Sequence, residues 1–195
     1  HTYNMNTMAK VSFPGNIYVK HLSAASGHSL SAAFSLTIPK RLFHWGDSAS
    51  FGFRQDVADK TKPAGTNNTV TDVSAGSLYS IILHDNGTAQ SAGFIEFIDE
   101  YHGHLGLPSD IVNEGTNPFR SISQVYDPVK GMIVDAPKFM KVYAGVDDLS
   151  PGAMHTLFID DVGQVWATGS NSKGQLCLGD YDDRVIPSKI STLIP

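Results

Sequence analysis

The amino-acid sequence predicts an all-β fold built from repeated sheet units. Charged residues make up only 17% of the 195 residues, while 18 glycines and 10 prolines interrupt the chain throughout. This composition favours strands and turns over helices. Residues 155–180, HTLFIDDVGQVWATGSNSKGQLCLGD, alternate apolar and polar side chains around a turn, as a β-hairpin does. The landmarks of this stretch recur in two earlier segments, which predicts a repeat protein.

The three repeats lie at about residues 22–53, 73–110 and 143–180 and share their landmarks in one order. In each repeat, a turn of small residues precedes an aromatic or imidazole side chain, which is followed at once by a hydroxyl side chain. A strand, a turn and a second strand come next, and the second strand ends at a glycine. An apolar–small–apolar triplet closes each repeat. The rings are His28, Tyr79 and His155; the glycines are Gly46, Gly93 and Gly169; and the triplets are Phe51-Gly52-Phe53, Leu105-Gly106-Leu107 and Leu176-Cys177-Leu178.

These landmarks predict antiparallel hairpins at about residues 29–46, 79–93 and 155–169. A glycine is expected wherever neighbouring backbones approach closely, so Gly93 and Gly169 are placed at tight corners. Asp160 precedes the Asp-Val-Gly turn. We therefore expect it at or near an exposed turn, and Asp160→Ala should destabilise the domain less than replacing Gly93 or Gly169 with Val.

At these residues the chain resembles the regulator-of-chromosome-condensation repeat family, whose full form is a seven-bladed β-propeller. The segment MHTLFIDDVGQVWATGSNSKGQLCLGD matches the repeat closely, and GHSL…LFHWGDSASFGF and SLYSIILHDNGTAQSAGF…HGHLGL match it more loosely. The resemblance implies that residues 1–195 form a single partial β-propeller domain of about three to four blades. VIPSKI, near residue 187, looks like a link into a next repeat. Tyr79 stands where the repeat has His, and Cys177 where it has Gly.

Residues 111–139 fall outside the repeats and are predicted to form a long ordered loop inserted between blades. Long loops on a rigid scaffold tend to carry function. Phe119, Arg120, Tyr126 and Met132 are the candidate partner-binding residues, since these types are enriched at binding hot spots or adaptable surfaces. The alternative is that these side chains only fasten the loop to the propeller.

The charge distribution limits the class of partner. The formal net charge is −5, and it is uneven: residues 1–62 carry seven basic against three acidic side chains, and residues 63–195 seven against sixteen. An acidic surface argues against nucleic-acid binding. The chain has no apolar run long enough to span a membrane. We therefore expect no nucleic-acid partner and no membrane insertion, while the resemblance implies that the partners are proteins.

The sequence carries no recognisable catalytic motif, and we expect no enzyme activity, no cofactor and no catalytic residues. His102 and His104, with Glu100 beside them, could offer metal ligands. However, His104 occupies the place of Gln175 in the third repeat, so a role in the repeat suffices, and no metal site is predicted. Cys177 is the one cysteine, which excludes an internal disulfide.

The resemblance implies a non-enzymatic protein–protein interaction module, or a structural scaffold subunit of a larger complex. The alternative function is a guanine-nucleotide exchange factor for a small GTPase. That activity requires an element that displaces the nucleotide, and residues 111–139 are the candidate for it.

Overall fold

The computed structural model describes residues 19–24, 30–35, 42–46, 59–61, 70–76, 78–95, 101–145 and 154–191. These ranges contain fourteen strands and one 3-10 turn at Ser109–Ile111. Within them, no helix is long and apolar enough to cross a membrane. The predicted all-β fold is confirmed.

Twelve of the strands form three blades, each of which is a four-stranded antiparallel meander in chain order. Blade 1 contains β1 (Val19–Ala24), β2 (Leu30–Ser35), β3 (Leu42–Gly46) and β4 (Asp59–Thr61). Blade 2 contains β5 (Val70–Ala75), β6 (Tyr79–His84), β7 (Ala89–Ile95) and β8 (Gly115–Ile122). A separate hairpin follows, made of β9 (Gln124–Asp127) and β10 (Met132–Asp135). Blade 3 contains β11 (Phe139–Ala144), β12 (His155–Asp160), β13 (Val165–Gly169) and β14 (Arg184–Lys189).

The three predicted hairpins are confirmed, and they share one register. Tyr79 pairs with Gly93 in blade 2, and His155 pairs with Gly169 in blade 3. In blade 1 the residue that pairs with the landmark glycine is Leu30, opposite Gly46. His28, which the sequence predicts for this place, lies outside the described residues. The first strand of every blade also carries a register shift at its second residue, so the blades are structural copies of one another.

Successive blades pack face to face. On blade 2 the side chains of Ile81, Leu83 and Ala89 are fully buried, and they share one core cluster with Phe139, Val142 and Phe158 of blade 3. We call the first set the far face of blade 2 and the second set the near face of blade 3. Fully burying one large aliphatic or aromatic side chain contributes about 1.5–3 kcal/mol. The contact between these two blades therefore stabilises this region of the fold.

The first strands of the blades are also joined by a repeated hydrogen bond. The backbone N–H of Ala75 in blade 2 donates to Ser23 Oγ of blade 1 at 2.9 Å. The backbone N–H of Ala144 in blade 3 donates to Ser74 Oγ of blade 2 at 2.8 Å. These serines and alanines hold equivalent register positions in their blades. The bond fixes each blade against the next one at the same point.

The prediction of a long loop over residues 111–139 is wrong. This segment contains β8, which completes blade 2, the β9–β10 hairpin, and the first residue of β11. VIPSKI is not a link either, because its first five residues belong to β14 of blade 3. The fourth strands of blades 2 and 3, β8 and β14, each contain a proline, which normally weakens a strand prediction. Proline is tolerated there because these strands lie at or near the edge of a blade, where a missing N–H leaves few ladder bonds unmade.

The expected close approach at the landmark glycines agrees with the structure. Asp160 lies beside the exposed turn at residues 161–163, as predicted, but its own side chain is buried. A Cβ on Gly169 would lie 2.5 Å from the Met154 carbonyl oxygen, and one on Gly93 would lie 2.5 Å from Tyr79 Cβ. Asp160 is only 5% exposed. Its carboxylate accepts hydrogen bonds from Gln164 N at 2.8 Å and from Trp166 Nε1 at 3.0 Å, so it organises the turn from inside.

Candidate functional site

The β9–β10 hairpin lies between blade 2 and blade 3 in the chain. Its base is closed by a hydrogen bond from Ala136 N to Ser123 O at 2.9 Å. Val125 is fully buried in the core cluster, and Val134 packs against the same cluster. On its outer side, β9 forms a parallel bridge with β14 through Tyr126 and Ser188. The hairpin is therefore anchored to blade 3 and extends its sheet to six strands.

The turn of the hairpin is organised by Asp127, which is largely buried. Its Oδ1 atom accepts hydrogen bonds from Val129 N at 2.9 Å and Lys130 N at 3.3 Å. Its carbonyl oxygen accepts one from Gly131 N at 2.9 Å, and Gly131 has a φ of 66°. A carboxylate that binds its own turn in this way reduces the freedom of the tip. The tip is presented in a defined conformation.

Several exposed side chains of this hairpin are apolar or aromatic. The exposed fractions are 79% for Val129, 55% for Met132, 53% for Ile133 and 36% for Tyr126. Ile133 and Tyr126 are opposite each other in the register of β9 and β10 and share one face, whereas Met132 is opposite Asp127. Exposed apolar side chains gathered on one hairpin are typical of a site where another protein binds.

The backbone of β10 adds hydrogen-bonding groups to this surface. β10 is the outermost strand of its sheet. Because Ala136 N bonds to Ser123 across the hairpin, the alternation of an antiparallel ladder directs the N–H and C=O groups of Ile133 and Asp135 away from β9. An edge strand of this kind can pair with an extended segment of a partner.

A buried polar cluster holds blade 2 against blade 3. Tyr79 Oη donates to the His155 carbonyl oxygen at 2.7 Å. Thr156 Oγ1 lies 3.0 Å from Tyr79 Oη and 3.0 Å from the His104 carbonyl oxygen, and its one proton is donated to either of them. Burial raises the pKa of Tyr79 far above its usual value, and Thr156 partly offsets this. The phenol therefore stays neutral and acts as a hydrogen-bonding link between blades.

His104 lies against the rings of Tyr79 and Tyr101, with ring centroids 5.0 and 5.4 Å away. Burial, together with the smaller effect of the charge of His102, lowers the pKa of His104 to about 3. Both of its ring nitrogens lack a hydrogen-bond partner in the described part of the chain. The imidazole is thus a neutral packing group near neutral pH.

The turn at residues 102–106, which carries His104, is also held by hydrogen bonds to its backbone and by a contact of His102. Thr168 Oγ1 lies 2.9 Å from the Gly103 carbonyl oxygen and 2.6 Å from that of Arg184. His102 Nδ1 contacts Asp183 Oδ2. Within the described ranges, no three His, Cys, Asp or Glu side chains are grouped to hold a metal. Glu100, the third candidate ligand, lies outside those ranges.

The four candidate partner-binding residues are divided between two places. Phe119 lies on β8, half-buried, and packs against Val70, Val73 and Ile82 of its own blade. Arg120 lies beside it on β8 and is exposed. Tyr126 and Met132 lie on β9 and β10 and contribute to the apolar surface of the hairpin.

The sequence interpretation missed Val129 and Ile133, which are among the most exposed apolar residues of the hairpin. The segment QVYDPVKGMIVD contains the signal for them. Two short apolar–polar alternations flank Asp-Pro and Gly, a pattern typical of a hairpin with a short loop.

Consecutive four-stranded blades that pack face to face define the class of this fold, a β-propeller. No protein-family model matches the chain. A curated relative, the guanine nucleotide exchange factor SRM1 of Saccharomyces cerevisiae, is 25% identical over 183 residues, which cover 89% of this chain and 35% of the relative. The chain thus spans about a third of the length of this relative.

Three solved structures are also similar to this chain over about nine-tenths of its length. Prp20p from Saccharomyces cerevisiae, studied for its binding to Gsp1p and histones, matches with a TM-score of 0.60 and 22% identity over 90% of this chain and 39% of its own. Human WBSCR16 matches with a TM-score of 0.61 and 22% identity over 92% of this chain and 41% of its own. Yeast RCC1 (Prp20) bound to Kap60 matches with a TM-score of 0.60 and 22% identity, over 90% of this chain and 37% of its own.

These similarities confirm the resemblance that the sequence motifs predict. The described residues fold as a partial β-propeller of the regulator-of-chromosome-condensation type.

Proposed function

We propose that this chain is the part of a guanine-nucleotide exchange factor that contacts its small GTPase through the β9–β10 hairpin. The exposed apolar tip of Val129, Met132 and Ile133 on an anchored base is the observation that carries the proposal. The name of the relative SRM1 supports the activity. This interpretation replaces the non-enzymatic module as the leading hypothesis.

Exchange needs differential binding and no covalent chemistry. A protein that binds the nucleotide-free GTPase more tightly than the nucleotide-bound form weakens nucleotide binding by the same factor, because coupling between two sites is reciprocal. A preorganised hairpin suits this role because little binding energy is lost in ordering it. Asp127 supplies that order by accepting hydrogen bonds from the backbone of the turn.

The experiment measures release of a fluorescent GDP from purified small GTPases, and binding of the chain to the nucleotide-free forms. We expect accelerated release for one GTPase. Val129→Asp combined with Ile133→Asp should weaken binding by roughly a hundredfold, since two exposed hot-spot contacts are lost. Val162→Asp is the matched control, because Val162 is 75% exposed at another hairpin turn. Equal loss in the control and the double variant would contradict the assignment of the hairpin.

The second candidate function is a protein-interaction or scaffold module without exchange activity. The observations that favour it are the partners of the similar structures: Prp20p was studied with Gsp1p and histones, and yeast RCC1 is bound to Kap60. Binding of a protein through the hairpin with no change in nucleotide release would support this candidate over the first.

A further inference from the structure

The outer edge of β10 is a second binding feature of the hairpin, distinct from its exposed side chains. β10 is the outermost strand of its sheet, and within the described ranges no strand pairs with its outer side. Neighbouring blades of a propeller pack face to face. A blade next to blade 3 therefore stacks on a face of this sheet, and the outer edge of β10 lies outside the contacts between blades.

The main chain of β10 directs hydrogen-bonding groups to this edge. Ala136 N donates to Ser123 O at the base of the hairpin at 2.9 Å, and the register of β10 on β9 has no shift. In an antiparallel ladder, hydrogen-bonded pairs alternate with pairs that are not hydrogen-bonded. Val134 therefore bonds to β9, whereas the N–H and C=O groups of Ile133 and Asp135 face the outer edge.

β10 lacks the features that protect an exposed strand edge. Proline, lysine or a bulge on an edge strand hinders its pairing with another chain. β8, the outermost strand of blade 2, contains Pro118 and has a register shift against β7. β10 has the sequence Met-Ile-Val-Asp and a continuous register, and Asp127 holds its turn. An extended segment therefore meets a regular and preordered strand.

The side chains of β10 determine which segment fits. Ile133 and Asp135 lie two positions apart and so share one face of the sheet. Both are exposed, and the Asp135 carboxylate has no hydrogen bond or ion pair in the described part of the chain. Directly opposite residues on paired strands contact each other, and opposite charges stabilise the pair. The matching segment has an apolar side chain opposite Ile133 and a basic one opposite Asp135.

We propose that β10 binds an extended segment of a partner protein, which adds an antiparallel strand at this edge. Antiparallel pairing is slightly more stable per residue than parallel pairing. In this direction the segment reads basic–any–apolar, and its basic and apolar residues each exchange main-chain hydrogen bonds with β10. Main-chain pairing provides the affinity, and the two side chains provide the specificity. The proposal concerns how the hairpin holds a partner and does not rest on exchange activity.

Heteronuclear NMR of the 195-residue chain, titrated with the blocked peptide Thr-Arg-Thr-Val-Thr, tests the pairing. We expect saturable shifts of the Ile133 and Asp135 amide signals and slower hydrogen exchange at both. N-methyl groups on the Arg and Val amides of the peptide remove the donors that face β10. They should weaken binding at least about tenfold, since two hydrogen bonds are lost. The matched control peptide has N-methyl groups on the middle and last Thr amides, which face away from β10, and should bind as the parent peptide does.

Charge reversal tests the side-chain part of the proposal. Asp135→Lys should weaken binding of the Arg peptide about fivefold, and a peptide with Glu in place of Arg should regain the loss. Asp161→Lys makes the same change of charge at another exposed turn and should leave binding unchanged. Absence of shifts at Ile133 and Asp135 at millimolar peptide, or equal binding of the two methylated peptides, would overturn the proposal. The titration contains no GTPase, so its failure is distinct from a failure of the proposed exchange activity.

Discussion

Trp166 donates its indole N–H to the buried carboxylate of Asp160 at 3.0 Å, across the hairpin of blade 3. In blade 2 the equivalent pair is His84 and Gln90, whose Nε2 and Oε1 atoms lie 3.1 Å apart. Both blades thus join the end of one strand to the start of the next by a buried side-chain hydrogen bond.

Asp160→Ala should lower the free energy of unfolding by about 2–4 kcal/mol. The substitution leaves the N–H groups of Gln164 and Trp166 without their acceptor, and an unsatisfied buried donor costs about 1–3 kcal/mol. Chemical denaturation measures the difference. Asp161→Ala is the neighbouring control, since Asp161 is exposed, and equal losses for the two variants would contradict this role for Asp160.

Gly169→Val should lower stability by more than about 3 kcal/mol or prevent folding. Gly169 has a φ of 109°, and its Cβ would lie 2.5 Å from the Met154 carbonyl oxygen. Gly163→Ala is the control that measures backbone strain without a steric collision, because Gly163 has a φ of 81° but open space around its Cβ position. That control should lose only about 1–2 kcal/mol. Similar melting temperatures for the two variants would show that the predicted collision is absent.

Cys177→Gly should leave stability unchanged or raise it by up to about 1 kcal/mol, because Cys177 has a left-handed φ of 54° that disfavours a side chain. The reciprocal change, Gly106→Ala, should lower stability, since it adds a side chain at a φ of 66° and 3.3 Å from Ile122 Cδ1. Thermal unfolding under reducing conditions compares them. A marked loss of stability in Cys177→Gly would mean that the thiol makes a contact worth more than the strain.

The stability of the protein should fall in mild acid partly because of His104. Burial lowers its pKa from 6.5 to about 3 in the folded state. The unfolded chain therefore binds the proton first, and the stabilising contribution present above pH 6.5 is lost as the pH falls toward 3. At one pH unit below 6.5 the loss is about 1.4 kcal/mol. His104→Gln, which copies Gln175 of the third repeat, should flatten the curve of unfolding free energy against pH, whereas parallel curves would contradict the neutral buried state.

The hairpins of all three blades could be predicted from the sequence because they depend on local signals. Alternating strands end at Gly46, Gly93 and Gly169, and the register of the structure uses these same glycines. The fourth strands could not be predicted in this way. β8 contains Pro118 and β14 contains Pro187, and their strand conformation depends on pairing with a neighbour distant in sequence.

The exposure of the four candidate partner-binding residues could be predicted only in part. Tyr126 and Met132 are exposed on the hairpin, but Phe119 packs inside blade 2. The burial of Asp160 was also missed, because an acidic residue beside a turn has the same local sequence whether it faces solvent or an indole N–H. Which of two chemically suitable side chains faces outward depends on packing between blades, and no local pattern encodes that.

Hydrogen–deuterium exchange of the chain, alone and bound to a nucleotide-free small GTPase, shows whether the β9–β10 hairpin contacts the partner. We expect slower exchange on binding at residues 126–135, including the outward-facing amides of Ile133 and Asp135. The turn at residues 161–163, which has a similarly exposed valine, should be unchanged. If residues 126–135 exchange equally fast in both states and protection is confined to other surfaces, the hairpin is not the contact.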